Sequence, residues 1–161
     1  MVLGLKTRLE ARGDHQDLIN KRMAENYVSD AKSILVEAKA ARRRKHHHRA
    51  IRLSQESFEL SLKAILRSIG VEYPKEHEVS DAVRENMAKF PDWFQSKVAY
   101  LEDASVWLSE RRGPSMYGDE IAGKPASQLF TEKDSRKAVE YADKALRFGK
   151  KLLGEIFEAK S

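Results

Sequence analysis

The sequence predicts an all-α protein, an antiparallel up-and-down bundle of about five helices in one domain. Three observations lead there. Apolar residues recur at steps of three and four through successive segments, as amphipathic helices require. No stretch alternates convincingly with the period of two that a half-buried strand needs. Only four prolines and eight glycines interrupt 161 residues, most of them near the ends or in two short zones.

The first helix is predicted over about residues 14–43, where Leu18, Ile19, Met23, Tyr27, Ala31, Ile34, Leu35 and Ala38 keep the helical step. Residues 1–13 form an N-terminal extension that either lengthens this helix or stays flexible, and residues 14–158 form the single domain. A second helix follows from near His47 to Ile69, with Ile51, Phe58, Leu62, Ile65, Leu66 and Ile69 inward and Gly70 as its C-terminal cap. Residues 71–78 connect it onward, because Pro74 pushes Tyr73 out of the helical region. A shorter helix is expected over 79–89. Pro91 suits the first turn of the next, which carries Trp93, Phe94, Val98, Leu101, Val106 and Leu108. Residues 113–130 form the longest break, holding three glycines and two prolines. Thr131-Glu-Lys-Asp134 then supplies an N-cap and first-turn acids for a last helix through Ala138, Tyr141, Ala142, Ala145, Leu146, Leu152 and Phe157.

Composition narrows the function. Hydrophobic residues at 41% and charged residues at 34% describe a soluble globular chain, too apolar to be disordered. With no cysteine, disulfides, zinc fingers and thiol catalysis are excluded. The N-terminal MVLGLKTRLEARGD is too short and charged for a signal peptide, and no apolar run approaches the ~18 residues of a membrane span, so the expected address is the cytoplasm. A net charge of +5 fits an anionic partner such as RNA or a nucleotide.

The cations concentrate in Ala41-Arg-Arg-Arg-Lys-His-His-His-Arg-Ala-Ile-Arg52, twelve residues without an acid. Periodicity places this run at the corner between the first two helices. Arg42, Arg43 and Arg44 complement a helix C-terminus there. With Lys45, Arg49 and Arg52 they exceed what a helix end needs, and so form an auxiliary basic patch whose phosphate contacts would be salt-dependent and indifferent to sequence. Three consecutive histidines lie about 100° apart on a helix and do not converge on one ion, so no specific metal site is expected.

Helix two contains Gln55-Glu-Ser-Phe-Glu-Leu-Ser-Leu-Lys-Ala-Ile-Leu66, in which Glu59 and Lys63 form an i,i+4 pair. Read alone, that is an exposed salt bridge on an amphipathic helix. The wording nevertheless resembles the HEPN family (higher eukaryotes and prokaryotes nucleotide-binding), whose second helix shares the phase of Glu59, Lys63 and Ala64. His77-Glu-Val79 lies where that family starts its third helix. Arg112-Gly-Pro-Ser-Met-Tyr-Gly-Asp119 is similar to its Arg-rich, Tyr-containing segment before the final helix. The order of segments agrees over roughly residues 24–158.

The resemblance implies a helical bundle, usually dimeric, that binds a nucleotide or an RNA phosphate. It also implies a minimal nucleotidyltransferase as partner, in a pair of toxin–antitoxin type. Other members are metal-independent ribonucleases carrying Arg-x4–6-His before the last helix. Here no His follows Arg111 or Arg112: the slots fall on Met116, Tyr117, Gly118 and Asp119, and all five histidines lie upstream. Tyrosine, with an ordinary pKa of about 10, is a poor base at neutral pH. Arg42 and His47 do satisfy Arg-x4-His, but a run so rich in both residues produces that spacing by composition.

The candidate nucleotide or RNA site is therefore Arg111, Arg112, Ser115, Tyr117 and Asp119, with Glu59 and Lys63 facing them. Guanidinium groups suit phosphate, and Gly113 and Gly118 allow close backbone approach. The same arginines equally suit a helix C-terminus with Tyr117 packed over the loop. A metal-independent ribonuclease of the kind the resemblance implies and a non-catalytic dimeric scaffold are the remaining readings, and no cofactor is implied. Trp93, Phe94, Tyr100 and Trp107, three of them spaced by seven, are expected in the core or a dimer interface rather than as a base-stacking platform.

Overall fold

The computed structural model describes residues 2–73, 75 and 78–158, with side chains from Gly13 onward. Pro74 and His77, to which the sequence reading gave roles, lie outside the described residues. Six α-helices follow in order: α1 (Val2–Arg43), α2 (His47–Ser68), α3 (Val79–Glu85), α4 (Asp92–Gln95), α5 (Val98–Tyr117) and α6 (Glu132–Leu153). Among the described residues no strand forms, only one isolated bridge between Asp119 and Lys124. No helix among them is long and apolar enough to cross a membrane.

α2 is the centre of the bundle, in contact with α1, α3, α5 and α6. Its predicted inward residues Ile51, Phe58, Leu62, Ile65 and Leu66 are all buried. A second face was not legible as core: Ala50, Ser54, Ser57, Ser61, Ala64 and Ser68 are also buried. Small side chains at helical spacing let neighbouring backbones approach closely. Ser57 Oγ donates to the carbonyl of Ala31 in α1 at 2.7 Å. On α6, the ideal Cβ position of Gly149 lies 3.8 Å from the carbonyl oxygen of Ser61. α1 and α6 answer with small residues of their own, Ala24, Ala31, Ala38, Ala138, Ala142 and Ala145, all fully buried.

The α1–α2 corner turns without a glycine. Lys45 takes the left-handed conformation (φ 63°). The N–H groups of Lys45 and His46 donate to the carbonyls of Arg42 and Ala41, satisfying the last turn of α1. Toward the other end of α1, Leu18 departs from expectation and is 46% exposed, while Asn20 is buried in its place. The ideal Cβ of Gly70, just beyond α2, sits 3.5 Å from the Asn20 side-chain nitrogen. The backbone of α1 continues as helix beyond that point to Val2.

Three boundaries differ from expectation. The helix predicted over 79–89 ends at Glu85 and is followed by a separate 3₁₀ turn, Met87–Lys89. Asn86 stops it by donating its side-chain amide to the carbonyl of Ala82 at 2.8 Å. The segment after Pro91 is broken at Ser96 and Lys97 into α4 and α5. Finally, α5 runs through Gly113 and Pro114 to Tyr117, so the break begins at Gly118. Pro114 forfeits one helical hydrogen bond at an exposed position near the helix end, which α5 tolerates. Gly118 terminates α5 at φ 74°, where a Cβ would lie 2.4 Å from the carbonyl oxygen of Lys124.

α6 starts as its sequence predicts. Asp134 N–H donates to Thr131 Oγ1 at 3.3 Å, and Thr131 N–H donates to Asp134 Oδ2 at 2.9 Å, a reciprocal capping box. Thr131→Ala is expected to cost about 1 kcal/mol and to lower the thermal midpoint by roughly 2–4 °C, measurable by calorimetry.

Candidate functional site

The aromatic residues of α4 and α5 form a seam against α6. Tyr100 meets Tyr141 and Phe148 edge-on at 5.4 and 6.3 Å, and Trp107 meets Tyr141 at 5.7 Å. Cations cover the outer faces: Lys144 over Tyr100, Lys137 and Arg111 over Trp107, and Lys151 over Trp93. Phe94 is fully buried beneath them. The Tyr100 hydroxyl is enclosed without a hydrogen-bond partner, and burial, with Glu140 and Tyr141 adding to it, pushes its pKa up to about 12. Because this folded value lies above the ordinary value of about 10, the contribution of neutral Tyr100 is complete below about pH 10 and is lost as pH rises through about 12. An alkaline absorbance titration should show a tyrosine ionising near pH 12 that is absent from Tyr100→Phe; no ionisation in that range in the parent protein would contradict this packing.

On another side of α5 a cleft of about 500 Å³ opens toward α2. α2 supplies Gln55, Glu59 and Lys63; α5 supplies Ser105, Ser109 and Arg112; the connecting segment supplies Tyr73, Lys75 and Glu78. Phe58, Leu62, Val79 and Leu108 form the apolar floor. Helical phase explains the set: positions 55, 59 and 63 stack at steps of four, as do 105 and 109, with 112 one step of three further.

Gln55 donates to Glu59 at 3.2 Å, and Lys63 approaches the other Glu59 oxygen at 3.6 Å. Both side chains of that pair are about 30% exposed, so the ion pair is neither a surface bridge nor a core one. The Lys63 ammonium also stands 5.4 Å above the Tyr73 ring. Burial first, then the carboxylates Glu59, Glu78 and Asp81, raise the Tyr73 phenol above its ordinary range and keep it a neutral hydroxyl. Arg112 is exposed at the rim.

The structure separates the other predicted residues from this cleft. Arg111 donates to the carbonyl of Trp107 at 2.9 Å and lies 3.9 Å over the Trp107 ring, on the α6 side. Ser115 is buried, donating to the carbonyl of Arg112 at 2.7 Å. Tyr117 is 69% exposed. Asp119 accepts from Ala122 N–H at 3.0 Å and closes the turn through its bridge with Lys124. Glu59, Lys63 and Arg112 are thus the sequence-predicted residues that come together. Gln55, Tyr73, Lys75, Glu78, Ser105 and Ser109 were missed; Gln55, four positions before Glu59, carried a signal, and Ser109 one only by its phase with Arg112.

The basic corner lies against the start of α6. Arg42, Arg43, Lys45, His47 and Glu132 line a hollow there. Arg42 reaches Glu132 at 3.3 Å, and Arg136 reaches the same oxygen at 2.8 Å. Chiefly Arg136, and then Arg42 and His47, hold the Glu132 carboxyl below the usual range. His47 Nδ1 pairs with Ser135 Oγ at 2.8 Å. Burial first, then Arg52, His46, Arg49 and His47, lowers the His48 pKa, opposing its protonation. Arg43, Arg44, Lys45 and Arg49 remain exposed. Among the described residues no group of three or more His, Asp or Glu is placed to hold a metal ion.

A helical bundle centred on one long helix, with a mixed-charge cleft against the helix before the last, defines the class. The family model of the HEPN domain matches residues 24–152. The chain belongs to the HEPN family. Among solved structures it is similar to ST0689, described as an archaeal HEPN homologue, at 22% identity and a TM-score of 0.61, covering 81% of this chain and 97% of that one. It is also similar to TT1696 from Thermus thermophilus, at 21% identity and a TM-score of 0.63, covering 80% of this chain and 96% of that one. Both likenesses concern the fold. No curated protein matches the sequence.

Proposed function

We propose that the cleft between α2 and α5 binds the phosphate of a nucleotide or of RNA, and that the protein acts with a minimal nucleotidyltransferase as partner. The observation that carries the first part is convergence: Lys63, Lys75 and Arg112 come from three separate segments and line one cleft with an apolar floor. Such a floor suits a base, and cations at the rim suit phosphate. Glu59 holds Lys63, whereas Arg112 has no ion pair among the described residues. Family membership is what supports the nucleotidyltransferase partner and a homodimeric state. The exposed cations of the α1–α2 corner extend the contact for longer RNA.

Equilibrium binding of ATP, GTP and a short RNA tests the reading, with Arg112→Ala as the site variant. Absence of binding to all three would overturn it. A parallel incubation of RNA in EDTA is expected to leave no cyclic-phosphate ends, because no His follows Arg111 or Arg112 in the sequence.

A further inference from the structure

The cleft does not end at Lys63. Beyond it lies a second hollow of about 390 Å³, walled by Met23 and Tyr27 of α1 and by Arg67 of α2. Lys63, Tyr73 and Lys75 line both hollows. They are two halves of one groove, divided by a ridge where the Lys63 ammonium stands over the Tyr73 ring. Positions 59, 63 and 67 of α2 run along this groove at helical steps of four.

The second half has the chemistry of a site for an anion-bearing ligand. Three cations, Lys63, Arg67 and Lys75, face one carboxylate, Glu72. The Arg67 side chain is only 12% exposed, and it pairs at 3.0 Å with Glu72, whose side chain is 87% exposed and readily displaced. Its Nε has no hydrogen-bond partner. Tyr27 and Met23, both half-buried, add an apolar wall on which a base can lie. Each hollow has the volume of a small-molecule site.

We propose, resting on the nucleotide reading above, that this groove takes two consecutive nucleotides of a single strand, one nucleoside in each hollow. The linking phosphodiester lies on the ridge against Lys63 and Lys75, the cations both hollows share. The ridge separates successive bases, so the strand must be splayed rather than stacked in a duplex; single-stranded nucleic acid is recognised in that way, by aromatic side chains and cations together.

Calorimetric titration of the full chain with adenosine monophosphate, with the ribo-dinucleotide pApA and with its deoxy counterpart tests this. At least one dinucleotide is expected to bind about tenfold more tightly than the mononucleotide, the gain that stacking of one further base supplies. The two dinucleotide arms distinguish RNA from DNA as the source of the strand. Tyr27→Ala and Arg67→Gln, each checked for folding by circular dichroism, should remove that gain and leave mononucleotide affinity unchanged. Equal affinity for mononucleotide and both dinucleotides, or folded variants that keep the gain, would overturn the second hollow alone. Failure of every ligand to bind would overturn the nucleotide reading with it.

Discussion

Arg112→Ala is expected to weaken binding of ATP or a short RNA about tenfold, while Arg111→Ala leaves it unchanged. The two arginines are adjacent in sequence but lie about 100° apart around α5. Arg112 continues the row of Ser105 and Ser109 into the cleft. Arg111 follows Trp107 and is held on its ring and carbonyl. A charge-assisted hydrogen bond contributes roughly 1.5–3 kcal/mol. The exposed position of Arg112 places its loss at the lower end, and ~1.4 kcal/mol is a factor of ten in affinity. The contrast separates a site from a general loss of positive charge, since both variants change net charge equally. Equal losses in both would show that only charge matters, and no loss in Arg112→Ala would remove it from the site.

Phe94→Ala should have the largest effect on stability, about 3–5 kcal/mol. The ring is fully buried. It packs against Phe90 at 4.4 Å and edge-on to Trp93 at 5.7 Å. It also belongs to the core cluster with Val98, Leu101 and Leu152, and so ties the short α4, which has little stability of its own, to the bundle. A loss of that size is a large part of the ~5–15 kcal/mol that holds a typical domain together, and corresponds to roughly 10 °C in thermal midpoint. Denaturant unfolding with an unchanged slope would measure it. A loss under about 1 kcal/mol would contradict the burial of Phe94.

The helices were legible because α2 and α6 keep a strict period with clear ends, such as the Thr131 and Asp134 box. What was not legible had physical causes. A serine carries no apolar signal for a core position, yet Ser57 bonds the backbone of α1 with its hydroxyl, and Ser54 and Ser61 are buried on the same face of α2 by their small size alone. The α5 end was misplaced because Gly113 and Pro114 read as a breaker, although a proline near a helix end forfeits only one bond. Once α5 is continued to Tyr117, its phase alone distinguishes Arg112 from Arg111 and sends Tyr117 outward. Glu59 and Lys63 were recognisable from their spacing and family wording. Lys75 was not, because nothing local distinguishes a cleft-lining lysine in a connector from any other surface lysine.

The basic corner, which dominates the sequence by composition, is partly neutralised in the fold. Arg42 and Arg136 share Glu132, and His47 is tied to Ser135. Arg43, Arg44, Lys45 and Arg49 face solvent, whereas Arg52 is half-buried, and the exposed four suit salt-dependent contact with a long polyanion rather than selective binding of a small one.

The most direct test maps a bound nucleotide by the amide chemical shifts of the isotope-labelled protein during titration with ATP. Changes are expected at Gln55, Glu59, Lys63, Ser105, Ser109 and Arg112, with Arg43, Arg44, Lys45 and Arg49 essentially unmoved. Changes confined to residues 42–49, or none at saturating nucleotide, would contradict the cleft between α2 and α5 as the binding site.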